Sequence, residues 1–189
     1  AHRVESFAGL RGLRVAIPPA DTGQNQGFWS LAAHYGLQPD DISALPMGPE
    51  AANFALALGQ VDAAFRVRAP GNSRIRELVA RGELALVPID QAAALALQHP
   101  ALRQGSIPRG SYRGEPAMPP TNLPVPVLDR ILVARSDLPD AVAFQFTRRL
   151  FDLKADIVEL LPLAGFIGQW TAASGVDSKT HPEIGRAHV

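Results

Sequence analysis

The residues of this chain best suited to chemistry lie in three short turn-like stretches. The first is Pro18-Pro19-Ala20-Asp21-Thr22-Gly23-Gln24-Asn25, which follows an apolar run and opens a helical pattern. A small, hydroxyl-bearing turn at a helix start offers free backbone N–H groups and the positive end of the helix dipole to an anion. Thr22, Gln24 and Asn25 can donate to a carboxylate, with Gly23 in the same turn. Plain capping, with Asp21 or Thr22 as the N-cap, explains the same residues.

The second stretch is Phe65-Arg66-Val67-Arg68-Ala69-Pro70-Gly71-Asn72. Alternation along a strand puts Arg66 and Arg68 on one side. Two arginines at the end of a buried strand are costly unless solvated or paired, and arginine pairs with carboxylates through two parallel bonds. The alternatives are that one or both extend into water and that Asn72 caps the following helix. The third stretch is Ile107-Pro108-Arg109-Gly110-Ser111-Tyr112-Arg113-Gly114. There Tyr112 can stack on a ligand or bond to it, or simply pack within a surface loop.

Little else points to catalysis. The five histidines, at positions 2, 34, 99, 181 and 188, show no metal-ligand spacing on one element. There is no cysteine, hence no disulfide framework, thiol nucleophile or thiolate metal site. No GxSxG, Walker loop or GxGxxG occurs, and no carboxylate dyad can be assigned to acid–base work. Lysine is confined to Lys154 and Lys179. The expectation is no catalytic residue, no metal and no cofactor. Eighteen basic and eighteen acidic residues leave a formal net charge of zero, which argues against a nucleic-acid partner. No apolar run approaches the ~20 residues of a membrane span. With 47% hydrophobic and 19% charged residues, a packed core is expected.

The elements that must position these turns alternate between strand and helix. Arg14–Ile17, Ile42–Pro46, Val61–Val67 and Leu84–Ile89 read as strands. Gln24–Tyr35, Pro49–Leu58, Asn72–Arg81 and Gln91–Gln98 read as helices, with Asp90 as the N-cap of the last. Ala52, Ala55, Leu56 and Leu58 form one inner face, and Ile75, Leu78 and Val79 another. This alternation predicts a mostly parallel sheet flanked by helices. Ser106–Pro126 holds six prolines and reads as an extended connector. Val127–Ala134 then reads as a strand. A long amphipathic helix runs from Pro139 to about Leu161, with Val142, Phe146, Leu150 and Leu153 as its buried stripe. The segment 165–178 reads as a short helix or loop. Phe28 and Trp29 read as core.

Five pieces in order resemble the TAXI subgroup of solute receptors from tripartite (TRAP-type) transporters. They are Leu10-Arg11-Gly12-Leu13-Arg14-Val15-Ala16, Gly59-Gln60-Val61-Asp62-Ala63-Ala64-Phe65 and Leu86-Val87-Pro88-Ile89-Asp90. The Ile107–Gly114 stretch and Leu132-Val133-Ala134-Arg135-Ser136-Asp137-Leu138-Pro139 complete the set. The resemblance spans about residues 7–182. It implies a type II periplasmic-binding-protein-like α/β lobe, with a mostly parallel sheet flanked by helices, plus a C-terminal helical segment of the other lobe. The implied division is an entry from a missing lobe (1–12), the ligand-binding lobe (13–105), a Pro-rich hinge crossing (106–134, with the hinge near Pro120–Val127) and a helical part of the first lobe (135–182). Residues 183–189 read in one frame as a sequencing adapter and are set apart. The opening Ala1-His2-Arg3-Val4-Glu5 has no initiator Met or signal peptide, and the first lobe is expected to be largely absent.

The implied function is a periplasmic receptor that is not an enzyme. It would clamp a small carboxylate or amino acid between two lobes through Thr22, Gly23, Gln24, Asn25, Arg66, Arg68 and Tyr112, and deliver it to integral membrane TRAP transporter subunits. Where the family has a G-S-G-T turn, this chain keeps only Thr22 and Gly23. The rivals are an enzyme on the same fold, the effector-sensing domain of a transcription regulator, and a purely structural domain.

Overall fold

The computed structural model describes residues 4–80, 84–129 and 131–168. The chain divides into two compact units, Ala1–Val127 and Leu128–Val189.

The first unit is built around one short strand. β1 (Arg14–Ile17) lies between β2 (Ser43–Pro46) and β3 (Ala63–Ala64) in a parallel sheet of order β2-β1-β3. Val15, Ala16 and Ile17 are all buried, because both faces of the strand are covered. Strand alternation assigns the two cores. Val15 and Ile17 pack with Phe28, Leu31 and Ala32 of α1 (Gly23–His34), and Ala16 packs with Ala52 and Ala55 of α2 (Pro49–Ala57). Phe28 is fully buried, with ring centroids of Phe7, Trp29 and Phe65 at 5.9, 5.1 and 5.4 Å. The sequence-based expectation of an α/β lobe with a parallel, helix-flanked sheet is met.

Gly36 ends α1 at φ 69°, a left-handed conformation, while Leu37 N–H bonds back to Ala32 O at 2.8 Å. At the other end of the sheet, Arg14 donates Nε to Asp62 Oδ2 at 3.0 Å and Nη2 to Asp62 Oδ1 at 2.7 Å. Its backbone N–H also bonds Asp62 Oδ2, at 2.9 Å. This two-pronged pair extends a β1–β3 ladder that has only two paired positions.

Several expectations fail for physical reasons. The third strand stops at Ala64 rather than Val67, because Arg66 and Arg68 cannot lie along a sheet covered on both faces. Leu58 is exposed, whereas Ala52 and Ala55 are buried. Residues 84–89 do not join the central sheet. They run beside β5 (Leu123–Val127) with a single bond, Ile89 N–H to Pro124 O at 2.9 Å. Pro124 and Pro126 have no N–H to donate, so a ladder cannot continue along that edge. The Pro-rich connector is itself partly a sheet, since β4 (Arg103–Ile107) pairs antiparallel with β5. Both prolines tolerate this because β5 bonds through its alternate residues.

Asp90 does not cap α4 (Ala92–Gln98). It accepts instead from the Tyr35 hydroxyl at 2.8 Å, and that hydroxyl accepts from Gln91 N–H at 3.1 Å. Burial is the main reason the Tyr35 hydroxyl is pushed up to about 12. His34 sits beside it, with Nε2 3.0 Å from Gln91 Oε1 and Nδ1 3.3 Å from Gln98 Oε1.

In the second unit, the expected strand 127–134 is not formed beyond Val127 among the described residues. The expected long helix is two, α5 (Asp140–Asp152) and α6 (Lys154–Leu160), broken at Leu153 and followed by a 3-10 turn at Pro162–Phe166. Its stripe is not buried: Val142, Phe146 and Leu153 are 50%, 53% and 43% exposed, and only Ala143 of α5 is buried. Helical period identifies an apolar face, but the surface to cover it must come from elsewhere. The segment from residue 169 on, with His181-Pro182 and the 183–189 tail, lies outside the described residues.

Two outcomes test this account. A Cβ on Gly105 would stand 2.5 Å from Val127 Cγ1 in the β4–β5 ribbon. Gly105→Ala is therefore expected to destabilise the protein by about 1–3 kcal/mol through overpacking, read by urea denaturation. The Arg14 bond holds the Asp62 carboxyl down from its ordinary 3.8 to about 2. A depressed carboxylate contributes stability that is lost as pH falls through that window. Melting temperature followed from pH 3.8 to about 2 is expected to fall less steeply in Asp62→Asn than in the parent.

Candidate functional site

Because β1, β2 and β3 are parallel, their exits reach the same edge. The edge carries the Pro18–Thr22 turn, the Met47-Gly48 turn and the Phe65–Asn72 turn. Met47 N–H to Ile17 O and Phe65 N–H to Ala16 O, both 2.9 Å, tie the second and third exits to β1. Open parallel sheets bind ligands outside these carboxyl ends.

Thr22 caps α1. Its hydroxyl donates to Pro19 O at 2.7 Å and accepts from Asn25 N–H at 3.2 Å. The backbone N–H groups of Gly23 and Gln24 have no acceptor among the described residues, and a Cβ on Gly23 would meet only open space. Asn25 is the buried polar residue of the core, 7% exposed. Its Nδ2 donates to Pro18 O at 2.8 Å, while Oδ1 takes no hydrogen bond among the described residues. The turn thus does both things the sequence left open: Thr22 caps the helix, and two N–H groups stay available at its positive end.

Arg66 is half-buried. It donates to Phe65 O at 3.0 Å, Pro49 O at 2.9 Å and Asn53 Oδ1 at 3.2 Å. Among the described residues no carboxylate pairs with it. Burial lowers its pKa from the ordinary value, repulsion from Arg68 adds to this, and Glu50 opposes it. Arg68 is exposed and bonds only Val67 O, at 2.8 Å. Asn72 caps α3 (Ser73–Ala80), its Oδ1 accepting from the N–H groups of Arg74 and Ile75 at 3.1 and 3.3 Å. No hydrogen bond joins the Thr22–Asn25 turn to Arg66 or Arg68. They share the sheet edge.

Tyr112 is buried in the β4–β5 connection, 6% exposed, and burial pushes its pKa up. Its backbone N–H bonds Met118 O at 2.9 Å, and its hydroxyl has no partner among the described residues. The connection approaches the third exit, since a Cβ on Gly71 would lie 3.9 Å from Ser111 O. The second and third stretches are therefore neighbours.

Sequence reading missed two residues and a groove. Asn53 orients Arg66 from α2, and the signal was a lone amide in an otherwise apolar helix face. Arg113 closes the C-terminal end of α3 by donating Nη1 to Ala80 O at 3.2 Å, which no local pattern announces. A groove of about 350 Å³ runs between α2 and α3, lined by Glu50, Asn53, Leu56, Arg74 and Glu77 among others. Among the described residues no cluster of histidine and acidic side chains could hold a metal ion.

A parallel sheet flanked by helices is consistent with a periplasmic-binding-like domain, a class that binds small molecules. A model of the NMT1-like family matches residues 1–183, and the chain belongs to that family, which is related to solute-binding proteins.

Asn25 offers a direct check on how the turn is built. Asn25→Ala is expected to cost about 1–3 kcal/mol, because it leaves Pro18 O without its donor in a buried setting. The denaturation midpoint in urea measures it.

Proposed function

We propose that this chain is the ligand-clamping part of an extracytoplasmic receptor of the TAXI type, which takes up a small carboxylate or amino acid and delivers it to integral membrane subunits of a TRAP-type transporter. Membership of the NMT1-like family supports a solute-binding role. The observation that carries the finer reading is the carboxyl edge of the sheet. There the open N–H groups of Gly23 and Gln24, at the start of a helix of 12 residues, share an edge with Arg66 and Arg68, neither of which has a carboxylate partner.

Each group has a role in this reading. Gly23 and Gln24 N–H donate to a carboxylate, with Thr22 fixing the turn. Arg68 supplies a mobile cation and Arg66 a fixed one, held in place by Asn53 and Pro49. Tyr112 contributes from the Ser111 side. All of this is binding and neutralisation, and the role in this reading is reception. The location is the periplasm.

A thermal-shift screen against dicarboxylates and amino acids tests the reading. A ligand present at 100 times its Kd is expected to stabilise the protein by about 2.7 kcal/mol. Arg68→Ala is expected to weaken that ligand about tenfold or more while leaving the unliganded melting temperature unchanged, because Arg68 bonds only its neighbour's carbonyl. An unchanged affinity removes Arg68 from the site.

A further inference from the structure

Ten arginines among the described residues fall into two kinds by their partners. Arg11, Arg14, Arg74, Arg135 and Arg148 each pair with a carboxylate. Arg66, Arg68, Arg76, Arg109 and Arg113 are held by neutral oxygens alone. These five lie in two stretches, 66–76 and 109–113. The stretches are neighbours, since a Cβ on Gly71 would lie 3.9 Å from Ser111 O. Arg76 Nη2 bonds Gly71 O at 3.3 Å, and Arg113 reaches Ala80 O at the far end of the same helix. α3 and residues 108–122 hold four arginines, Arg74, Arg76, Arg109 and Arg113, against two glutamates, Glu77 and Glu115, in a chain of zero net charge. Glu77 is already engaged by Arg74 at 3.2 Å.

We propose that this face, formed by α3 and the β4–β5 connection, docks on an acidic surface of a partner protein. A guanidinium has five N–H donors. Among the described residues Arg76 and Arg109 side chains each use one, and Arg113 uses two. The remaining donors belong to planar forks already anchored by backbone carbonyls, which lowers the entropy cost of forming paired bonds to fixed carboxylates. A concentrated patch of one sign also steers association. Two other polyanions fit less well. None of the large exposed apolar side chains falls in these stretches, so the face lacks a wedge for a lipid surface. Tyr112, its one large aromatic ring beyond Phe65, is buried, so it offers no exposed platform for stacking bases. The docking face does not depend on which solute the sheet edge takes.

The test uses the full 189-residue chain and fluorescently labelled poly-L-glutamate, with anisotropy as the readout at about 50 mM salt and above. Binding that weakens with salt is expected. Arg76→Glu with Arg109→Glu is expected to weaken it by about tenfold or more, with Arg76→Gln plus Arg109→Gln as the milder pair should the charge reversal unfold the protein. Arg148→Glu, in α5, is expected to leave it unchanged. Absence of binding, or binding indifferent to both pairs, overturns the proposal. So does tighter binding to phosphatidylserine vesicles or to single-stranded RNA of matched length, which would assign the face to a membrane or a nucleic acid. Neither Arg76 nor Arg109 belongs to the proposed solute site, so loss of docking and loss of solute binding are separate results.

Discussion

The first unit depends on the burial of β1 from both sides. A strand of four residues contributes few hydrogen bonds, and its neighbour β3 pairs over only two positions. What holds the sheet is that Val15 and Ile17 complete one core while Ala16 completes the other. The small side chain at position 16 allows α2 to approach, and α2 answers with Ala52 and Ala55. The larger side chains opposite are matched by Phe28, wedged among three other aromatic rings. Once β1 is fixed, its parallel neighbours must exit at the same edge. The N-terminus of α1 and the arginines after β3 are placed by that requirement and not by contacts with each other.

Much of this was legible in the sequence because the relevant signals were local. Arg14–Ile17 is an apolar run with a proline pair after it, and β1 has those bounds. Glycine at 36 stops α1 where a left-handed residue was needed. Thr22 stands at a helix start and caps it. What could not be read was anything decided by a distant edge. Leu84–Ile89 has strand composition, yet its place beside β5 is limited by Pro124 and Pro126, some 35 positions later. Asp90 has the chemistry of a cap, but Tyr35 claims it from the end of another helix. The apolar stripe of α5 has a helical period, and period says nothing about whether a covering surface is present.

The candidate site divides along the same line. Residue types and their order placed Thr22, Gly23, Gln24, Asn25, Arg66 and Arg68 at one sheet edge, a consequence of parallel topology alone. The partners of Arg66 were not predictable, since Asn53 and Pro49 are brought in by α2 packing on the sheet. Nor was the approach of Ser111 to Gly71, which joins a proline-rich connection to the turn after β3. The charge asymmetry was hidden in a neutral total, because Arg11, Arg14, Arg135 and Arg148 have an acidic partner while, among the described residues, Arg76, Arg109 and Arg113 bond only neutral oxygens.

The last turn of α1 holds α4 at both ends. His34 touches Gln91 and Gln98, while Tyr35 bonds Asp90 and receives Gln91 N–H. A helix of seven residues is too short to persist on its own in water. α4 therefore depends on its neighbours, on α1 through these bonds and on the β4–β5 ribbon against which it packs. The helix whose N-terminal end opens the sheet edge thus also braces, through its C-terminal end, the helix that packs on the ribbon.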